Sequence, residues 1–251
     1  MSNVLFQKIR TIELRKILVY IPQGSRVLEV GAGAGWQAKV IHESGFTVEA
    51  IDIDSSEYIE DRVWPITVYD GKKFPFPDNS FDEVFSSNVL EHIPEPFEFQ
   101  SEIRRVLKNH GLAIHIVPTG SWRFWNILAY YPFILKTLLK LICCRNTILD
   151  DVNARNALKA VQKIRCKKEF VKAMFPSRHG VYGNAISEIY RFSKNRWDNS
   201  FNETGWKIVD RFPNRLFYTG YFILDSYCPI WLREKLSRIL GSSCHNYILI
   251  L

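Results

Sequence analysis

Short apolar runs alternate with amphipathic stretches from residue 26 to about residue 118. The apolar runs predict strands near Arg26–Val30, Thr47–Ile51, Ile66–Tyr69, Phe81–Ser86 and Leu112–Val117. Helices are predicted between them at Trp36–Ser44, which Gly45 ends, and at about Pro96–Lys108, which Gly111 ends. This repeated strand–helix–strand order indicates an α/β fold with a doubly wound, mostly parallel sheet that carries helices on both faces.

The pattern changes after Val117. Residues 122–144 are strongly apolar and aromatic, but they are interrupted by Arg123, Pro132, Lys136 and Lys140. The segment therefore falls short of the roughly twenty apolar residues that a membrane span needs. It fits either an amphipathic hairpin that rests on a bilayer surface or a buried part of the protein.

Regular alternation returns near the end of the chain. It predicts strands at Trp206–Val209 and Asn246–Leu251, with a helix at Pro229–Leu240 between them. We therefore divide the chain into three parts. Residues 1–119 form the cofactor-binding part of the main domain, residues 120–200 form an inserted, largely helical cap, and residues 201–251 complete the sheet.

A glycine-rich turn follows the first predicted strand, where residues 27–35 read Val-Leu-Glu-Val-Gly-Ala-Gly-Ala-Gly. Glycine lets the backbone approach a ligand closely, and the N–H groups of a helix open just beyond the turn. Asp52 ends the second apolar run and is placed to accept the hydroxyl groups of a ribose, a role for which Asp54 competes. The pattern predicts a ligand that contains a nucleoside.

Two positions narrow the choice of ligand. Trp36 stands where the dinucleotide fingerprint Gly-x-Gly-x-x-Gly needs its third glycine, which argues against a nicotinamide or flavin cofactor. Glu29 would aim a carboxylate into the ligand cleft, and a carboxylate suits a cationic amine better than a pyrophosphate. S-Adenosylmethionine fits, because it combines a ribose, an ammonium group and a sulfonium with no phosphate.

The stretch from Arg26 to Thr119 resembles the class I methyltransferases that use S-adenosylmethionine, especially the broad small-molecule group that includes ubiquinone and sterol methyltransferases. The segments that carry the resemblance are Val27–Gly35, Val48–Ile53, Tyr69–Asp70, Phe74–Asp82, Asn88–Ile93, and Glu102–Lys108 with Gly111. The resemblance implies a seven-stranded sheet whose last two strands form an antiparallel pair. It also implies S-adenosylhomocysteine as the product.

The predicted cofactor-binding residues are Glu29, Gly31, Ala32, Gly33, Gly35, Asp52, Ile53, Asp70, Gly71, Ser87 and Asn88. The resemblance assigns Asp70 to the adenine amino group, although a carboxylate before Gly71 is also typical of a simple turn. It places Ser87 and Asn88 at the methionine end of the cofactor, where either side chain could equally belong to an ordinary loop.

The catalytic residues are less clearly marked. His92 is the candidate general base, because its ordinary pKa suits proton transfer, and packing in the cleft wall is the alternative. Glu91 beside it permits a divalent metal, but with only two ligands in sequence we predict no metal site. The acceptor-side candidates are Trp122, Arg178, His179 and Tyr182. His115 lies mid-strand and is predicted to be a core histidine.

Charge is concentrated in one segment. The net charge is +7, and the segment from Lys136 to Arg178 contains eleven Lys or Arg residues but only three Asp or Glu residues. A basic insertion suggests an anionic partner, such as a lipid or glycan-linked acceptor or an anionic membrane surface. The five cysteines form no Cys-x-x-Cys pair, and residues 1–10 show no signal peptide, so we expect a cytoplasmic protein, either free or peripheral at the inner face of a membrane.

The leading hypothesis is an enzyme that transfers a methyl group from S-adenosylmethionine to a small, lipidic or glycan-linked acceptor, by in-line displacement at the sulfonium methyl. Two alternatives stay open. Basic residues could track phosphates in a nucleic-acid methyltransferase, but the chain lacks an Asn-Pro-Pro-Tyr or Asp-Pro-Pro-Tyr base-holding motif. The other alternative is a non-enzymatic, membrane-peripheral scaffold that retains the fold.

Overall fold

The computed structural model describes residues 3–54, 59–143, 175–221 and 228–251. The helices are α1 (Asn3–Leu18), α2 (Trp36–Glu43), α3 (Pro96–Val106), α4 (Gly120–Cys143), α5 (Ser187–Arg191), α6 (Lys194–Glu203) and α7 (Ile230–Leu240). The strands are β1 (Arg26–Val30), β2 (Thr47–Ile53), β3 (Thr67–Tyr69), β4 (Phe81–Ser87), β5 (Leu107–Pro118), β6 (Lys207–Pro213) and β7 (Cys244–Ile250).

Within these ranges, seven strands form one sheet in the order β3-β2-β1-β4-β5-β7-β6. The first five strands are parallel to one another, and β7 runs antiparallel to both β5 and β6. The predicted doubly wound, mostly parallel sheet with a closing antiparallel pair is therefore confirmed. The strand order reverses between β1 and β4, and a ligand cleft is expected at the carboxyl ends of those strands.

Each face of the sheet buries its own apolar layer. On one face, α3 and α6 contribute Phe99, Ile103, Trp197 and Phe201 to a cluster that also contains Tyr247 of β7. On the other face, α1 and α2 contribute residues such as Ile9, Leu14, Ile17 and Ile41. Two covered faces explain why the central strands β1 and β4 are buried along almost their whole length.

The boundary between α3 and β5 differs from the prediction. The helix ends at Val106, two residues before the predicted end at Lys108, and β5 begins at Leu107, five residues before Leu112. Leu107 pairs with Phe81 of β4, so strand pairing takes over where the helical pattern continues in the sequence. Gly111 lies inside β5, where an added Cβ would be 2.7 Å from the carbonyl oxygen of Asp82.

Helix α1 is absent from the predictions, although its residues pack into the core. Ile9, Glu13, Leu14 and Ile17 are fully buried at helical spacing. The interruption of its apolar face by buried Glu13 weakens the hydrophobic pattern that would have marked the helix.

Residues 120–143 form one continuous helix, α4, with Pro132 inside it. Of the two interpretations of residues 122–144, the amphipathic hairpin is therefore wrong, because the chain does not reverse before Cys143. The basic positions from Arg145 to Lys172, which motivated the anionic-partner hypothesis, lie outside the described residues. The division into a main domain and a cap stays a prediction.

Candidate functional site

The glycine turn connects β1 to α2 at the point of strand-order reversal. Gly31, Gly33 and Gly35 all have positive φ, at 72°, 57° and 75°, a conformation that side chains other than glycine adopt at a cost. An added Cβ would lie 2.4 Å from Val89 Cγ2 at Gly31 and 2.6 Å from Trp64 Cβ at Gly35. Backbone conformation and close contacts within the protein therefore both require glycine at Gly31 and Gly35, whether or not a ligand binds next to the turn.

The side chain of Asp52, near the end of β2, accepts a hydrogen bond from the glycine turn. Its Oδ2 accepts the Gly33 N–H at 2.7 Å and its Oδ1 accepts the Ile53 N–H at 2.8 Å, and only 8% of the residue is exposed. Asp54, the competing candidate, is exposed and lies beyond the end of the strand. Asp52 is therefore the carboxylate that the structure places against the glycine turn.

Two further predicted cofactor-binding residues, Ile53 and Gly71, lie at the end of β2 and in the turn after β3. Ile53 pairs with Tyr69 and is 39% exposed, and an added Cβ at Gly71 would be 3.4 Å from its Cγ2. Ala32 contributes its N–H to the Ile51 carbonyl at 3.1 Å, which fixes the base of the turn. Ile53 and Gly71 therefore lie next to each other, and Ile53 directly follows Asp52 in β2.

Asp70 has a defined local role. Its Oδ1 accepts the N–H groups of Lys72 and Lys73 at 2.9 and 3.0 Å, and these hydrogen bonds lower the pKa of the carboxyl group. Asp70 thus stabilises the turn that contains Gly71, which was the alternative to a role in adenine binding. The adenine contact stays a prediction.

Ser87 is the last residue of β4, and Asn88 follows it, on the side of β1 opposite to β2. Asn88 has a φ of 55°, and its N–H donates to the Ile116 carbonyl at 2.8 Å. With the side-chain amide oxygen turned toward α1, Asn88 Oδ1 accepts from Nη1 of Arg10 at 2.6 Å. Arg10 in turn donates to buried Glu13 at 2.8 Å. Helix α1 therefore supports the methionine end of the predicted cleft, a contribution that the sequence pattern did not indicate.

Glu29 is the one candidate whose environment demands a partner. The residue is 2% exposed, and its Oε2 atom has no hydrogen-bond partner among the described residues. Burial raises the pKa of the carboxyl group to about 8, an effect to which the charge of Asp52 adds, while the N–H of Ala38 in α2 acts in the opposite direction. A bound cation would supply the missing partner. The residues present therefore fit a cationic cofactor.

His92 and His179 meet at the acceptor side, although 87 positions separate them in sequence. Their ring centroids are 4.9 Å apart, and the ring of Trp122 lies 4.8 Å from that of His179. Glu91 lies beneath both imidazoles, with a fully buried side chain. Burial lowers the pKa of His92 below its ordinary value, so the neutral imidazole predominates at neutral pH.

The remaining acceptor-side candidates flank this cluster. Tyr182 donates its hydroxyl hydrogen to the Pro94 carbonyl, and Arg178 is exposed beside His179. His179 and Tyr182 thus contact Glu91 and Pro94, and Trp122 contacts His179. Arg178 is exposed in the same loop as His179.

His115 is confirmed as a core histidine. It is fully buried, its Nδ1 lies 2.8 Å from the Ser86 hydroxyl, and its ring stacks on Phe201. Burial lowers its pKa to about 3. It packs within the sheet and takes no part in the cleft.

Comparison with known proteins supports the same interpretation. Residues 28–115 match the methyltransferase domain family. An uncharacterized methyltransferase of Mycobacteroides abscessus is 36% identical over 104 residues, which cover 37% of this chain and 39% of that protein. One from Mycobacterium tuberculosis is 32% identical over 99 residues, with the same coverage. The match thus spans about 39% of the length of these curated relatives.

Solved structures share the fold over almost the whole chain. An S-adenosylmethionine-dependent methyltransferase from Mesorhizobium loti has a TM-score of 0.53 at 14% identity, covering 95% of this chain and 97% of its own. One from Archaeoglobus fulgidus has a TM-score of 0.54 at 14% identity, covering 97% and 93%. Residues 28–115 are therefore similar to a methyltransferase domain, and the described part of the chain shares its fold with these solved S-adenosylmethionine-dependent methyltransferases.

Proposed function

We propose that the chain binds S-adenosylmethionine at the carboxyl ends of β1, β2 and β4 and transfers its methyl group to a small, lipidic or glycan-linked acceptor. The observation that carries the proposal is the buried Glu29 carboxyl group, whose Oε2 has no hydrogen-bond partner among the described residues, in the strand that leads into the glycine turn contacted by Asp52. One carboxylate that needs a cation and one that can accept ribose hydroxyls suit the two ends of this cofactor.

Each part of the cleft has a distinct task in this proposal. Asp52 holds the ribose, Ile53 and Gly71 provide the apolar wall for the adenine, and Glu29 with the Asn88 segment holds the methionine end. When bound, the cofactor supplies a methyl group that is already electrophilic because it is attached to a sulfonium. The protein therefore contributes chiefly by positioning the reactants and by excluding water.

The acceptor side is assigned to Trp122, His92 and His179. The aromatic ring of Trp122 and the two imidazoles form one surface next to the end of β4. The neutral imidazole of His92 is able to accept a proton from the acceptor or to bind a cation.

We expect the affinity for S-adenosylmethionine to rise about tenfold between pH 6 and pH 7 and to level off near pH 8. The Glu29 carboxyl, with its pKa of about 8, is protonated in the free protein and must lose that proton to pair with the ligand ammonium. Above pH 8 the ligand amine itself loses its proton, since α-amino groups have pKa values of about 7.7–8.0. Calorimetry in two buffers of different ionisation enthalpy measures the proton released.

The matched control is Glu49→Gln, because Glu49 lies on neighbouring β2 but is half-exposed and paired with Arg26. Glu29→Gln should remove the proton release and weaken binding, and Glu49→Gln should change neither. An affinity that is independent of pH in the wild-type protein would contradict the assignment of Glu29 to the ammonium group. Absence of binding at every pH would contradict the proposed function itself.

Two features support an apolar, anionic acceptor. A cavity of about 220 Å³ shares Glu91 with the histidine cluster and is lined by aromatic rings such as Phe97 and Trp197, together with Arg191 and Arg196. Helix α4 also exposes an apolar row, in which Phe124, Leu128, Tyr131 and Leu135 are 44–59% exposed. We call these four residues the α4 row. Their spacing of four, three and four places them on one face of the helix.

Such a row suits a lipid surface, where an apolar face enters the headgroup boundary. Within the described residues, no helix is both long and apolar enough to cross a membrane. The α4 row therefore supports contact with a bilayer surface in this proposal, which is the setting in which a lipidic acceptor would be met.

We expect the protein to co-sediment with phosphatidylcholine vesicles that contain phosphatidylserine, and Leu128→Glu to weaken that binding about tenfold. An exposed leucine that enters the interface contributes on the order of 1–2 kcal/mol, and the new carboxylate is repelled by anionic lipid. Val209→Glu is the control, because Val209 is 54% exposed on edge strand β6. Equal loss in both variants, or no binding by the wild-type protein, would rule out the membrane role while leaving cofactor binding unaffected.

A further inference from the structure

We propose that Glu91, His92 and His179 form a binding site for a divalent transition-metal ion. The sequence places only Glu91 and His92 together, and for that reason it predicted no metal site. The fold adds His179, which arrives from the loop before α5. One carboxylate oxygen and two imidazole nitrogens then lie within 4.8 Å of one another.

The distances between the ligand atoms suit a single small ion. Glu91 Oε1 lies 3.9 Å from His92 Nε2 and 3.6 Å from His179 Nε2. Zinc binds imidazole nitrogen and carboxylate oxygen at about 2.0–2.1 Å, so tetrahedral ligands are about 3.4 Å apart. Small side-chain rotations would bring all three atoms to that separation.

The Glu91 carboxylate is the independent observation that requires a ligand. Its side chain is fully buried, and neither oxygen has a hydrogen-bond partner in the part of the chain that the structure describes. Both histidine contacts are longer than a hydrogen bond. A buried carboxylate without partners is costly, and a bound cation is one of the few ways in which that cost is met.

The loop that carries His179 is fixed from several directions. The Val181 N–H donates to the Glu91 carbonyl at 3.0 Å, and an added Cβ at Gly180 would be 2.6 Å from that same oxygen. The His179 and Gly180 N–H groups both donate to the buried carboxylate of Glu188. The third ligand is therefore held next to the other two by the fold, as a preorganised site requires.

The ligand set favours a transition metal over magnesium or calcium. Imidazole suits zinc, iron, cobalt and nickel, whereas magnesium and calcium take oxygen ligands. Three protein ligands leave a coordination position open, and the His92 and His179 side chains are 46% and 35% exposed, so an ion and a further ligand can reach the site from solvent. A metal at this position would polarise an acceptor oxygen, so that His92 would act as a ligand and not as a base.

Cobalt(II) titration of protein stripped with a chelator tests the site without cofactor or acceptor. We expect one equivalent of Co²⁺ to bind with visible ligand-field bands of a four- or five-coordinate ion. Glu91→Gln and His179→Ala should each weaken binding by about 100-fold, since loss of a ligand costs at least as much as loss of its supporting residues. Thermal unfolding in chelator checks that both variants are folded, and His92→Ala provides a third ligand variant.

The control is His110→Asn. His110 lies at the opposite end of β5 with a φ of 73°, a conformation that asparagine tolerates. This variant should bind Co²⁺ as the wild-type protein does. No binding by the wild-type protein, or equal binding by the wild-type protein and the folded ligand variants, would overturn the proposal. Neither result would affect the cofactor-binding proposal, because S-adenosylhomocysteine binding is measured separately.

Discussion

Asp52→Ala should weaken the binding of S-adenosylhomocysteine by about 100-fold or more, the largest effect that we expect from a single side chain in the cofactor cleft. In the proposed site this carboxylate accepts both ribose hydroxyls, and a hydrogen bond to a charged group contributes about 1.5–3 kcal/mol. Asp52 also accepts the Gly33 and Ile53 N–H groups, so its removal loosens the glycine turn as well. Isothermal titration calorimetry of S-adenosylhomocysteine into the ligand-free variant measures this loss of affinity.

The matched control for Asp52 is Asp54→Ala, the same change two residues along the chain. Asp54 is exposed, and its loss should leave the affinity within about twofold of the wild-type value. Thermal unfolding of both variants without ligand separates loss of the binding site from loss of the fold. A larger effect at Asp54 than at Asp52 would reverse the assignment of the ribose carboxylate.

Arg123→Met should lower the free energy of unfolding by about 3 kcal/mol. Arg123 is 4% exposed, and its Nε lies 2.8 Å from Oε2 of Glu188, whose side chain is fully buried. Removing one partner of a buried ion pair leaves an uncompensated charge, which costs about 3–5 kcal/mol. The substitution also removes the hydrogen bond from Arg123 to the Ser177 carbonyl at 2.5 Å. Urea denaturation with a constant m value measures the change.

Two controls define what the Arg123 result means. Lys108→Ala breaks an ion pair with Asp82 whose side chains are 45% and 35% exposed, and it should cost no more than about 1 kcal/mol. The double variant Arg123→Met/Glu188→Gln should be more stable than the sum of the single changes predicts, because no buried charge is left unpaired. A loss at Arg123 equal to that at Lys108 would mean that the buried pair does not stabilise the fold.

The glycine turn and the strands on either side of it were predictable to a large extent, because their sequence signals are local. Val27–Gly35 combines a buried strand with three glycines, and all three glycines have positive φ in the structure. The choice of Asp52 over Asp54 also followed from position, since Asp52 lies within β2 and Asp54 lies beyond it. The order of the motifs along the chain corresponds to neighbouring strands of a parallel sheet, whose carboxyl ends share one edge.

The errors lie where local pattern and packing disagree. The sequence signal for α1 is weak, because the buried side of the helix includes the charged residue Glu13. Hydrogen bonds from Arg10 and Tyr218 stabilise Glu13 there, and the hydrophobic pattern of the helix does not indicate them. The amphipathic hairpin, one of two interpretations of residues 122–144, does not form, because the helix continues through Pro132 to Cys143. Proline weakens a helix by removing one hydrogen bond, and tertiary packing offsets that loss here.

The sequence by itself determined the mostly parallel sheet and the glycine turn, because strand period and glycine patterns are short-range signals. Only the tertiary structure brought Glu91, His92 and His179 together. Glu91 and His179 are far apart in the chain, and they meet because residues 177–183 return to the end of β4 and are held there by buried Glu188. Contacts of this kind depend on how distant segments pack, which hydrophobic pattern and residue spacing do not encode.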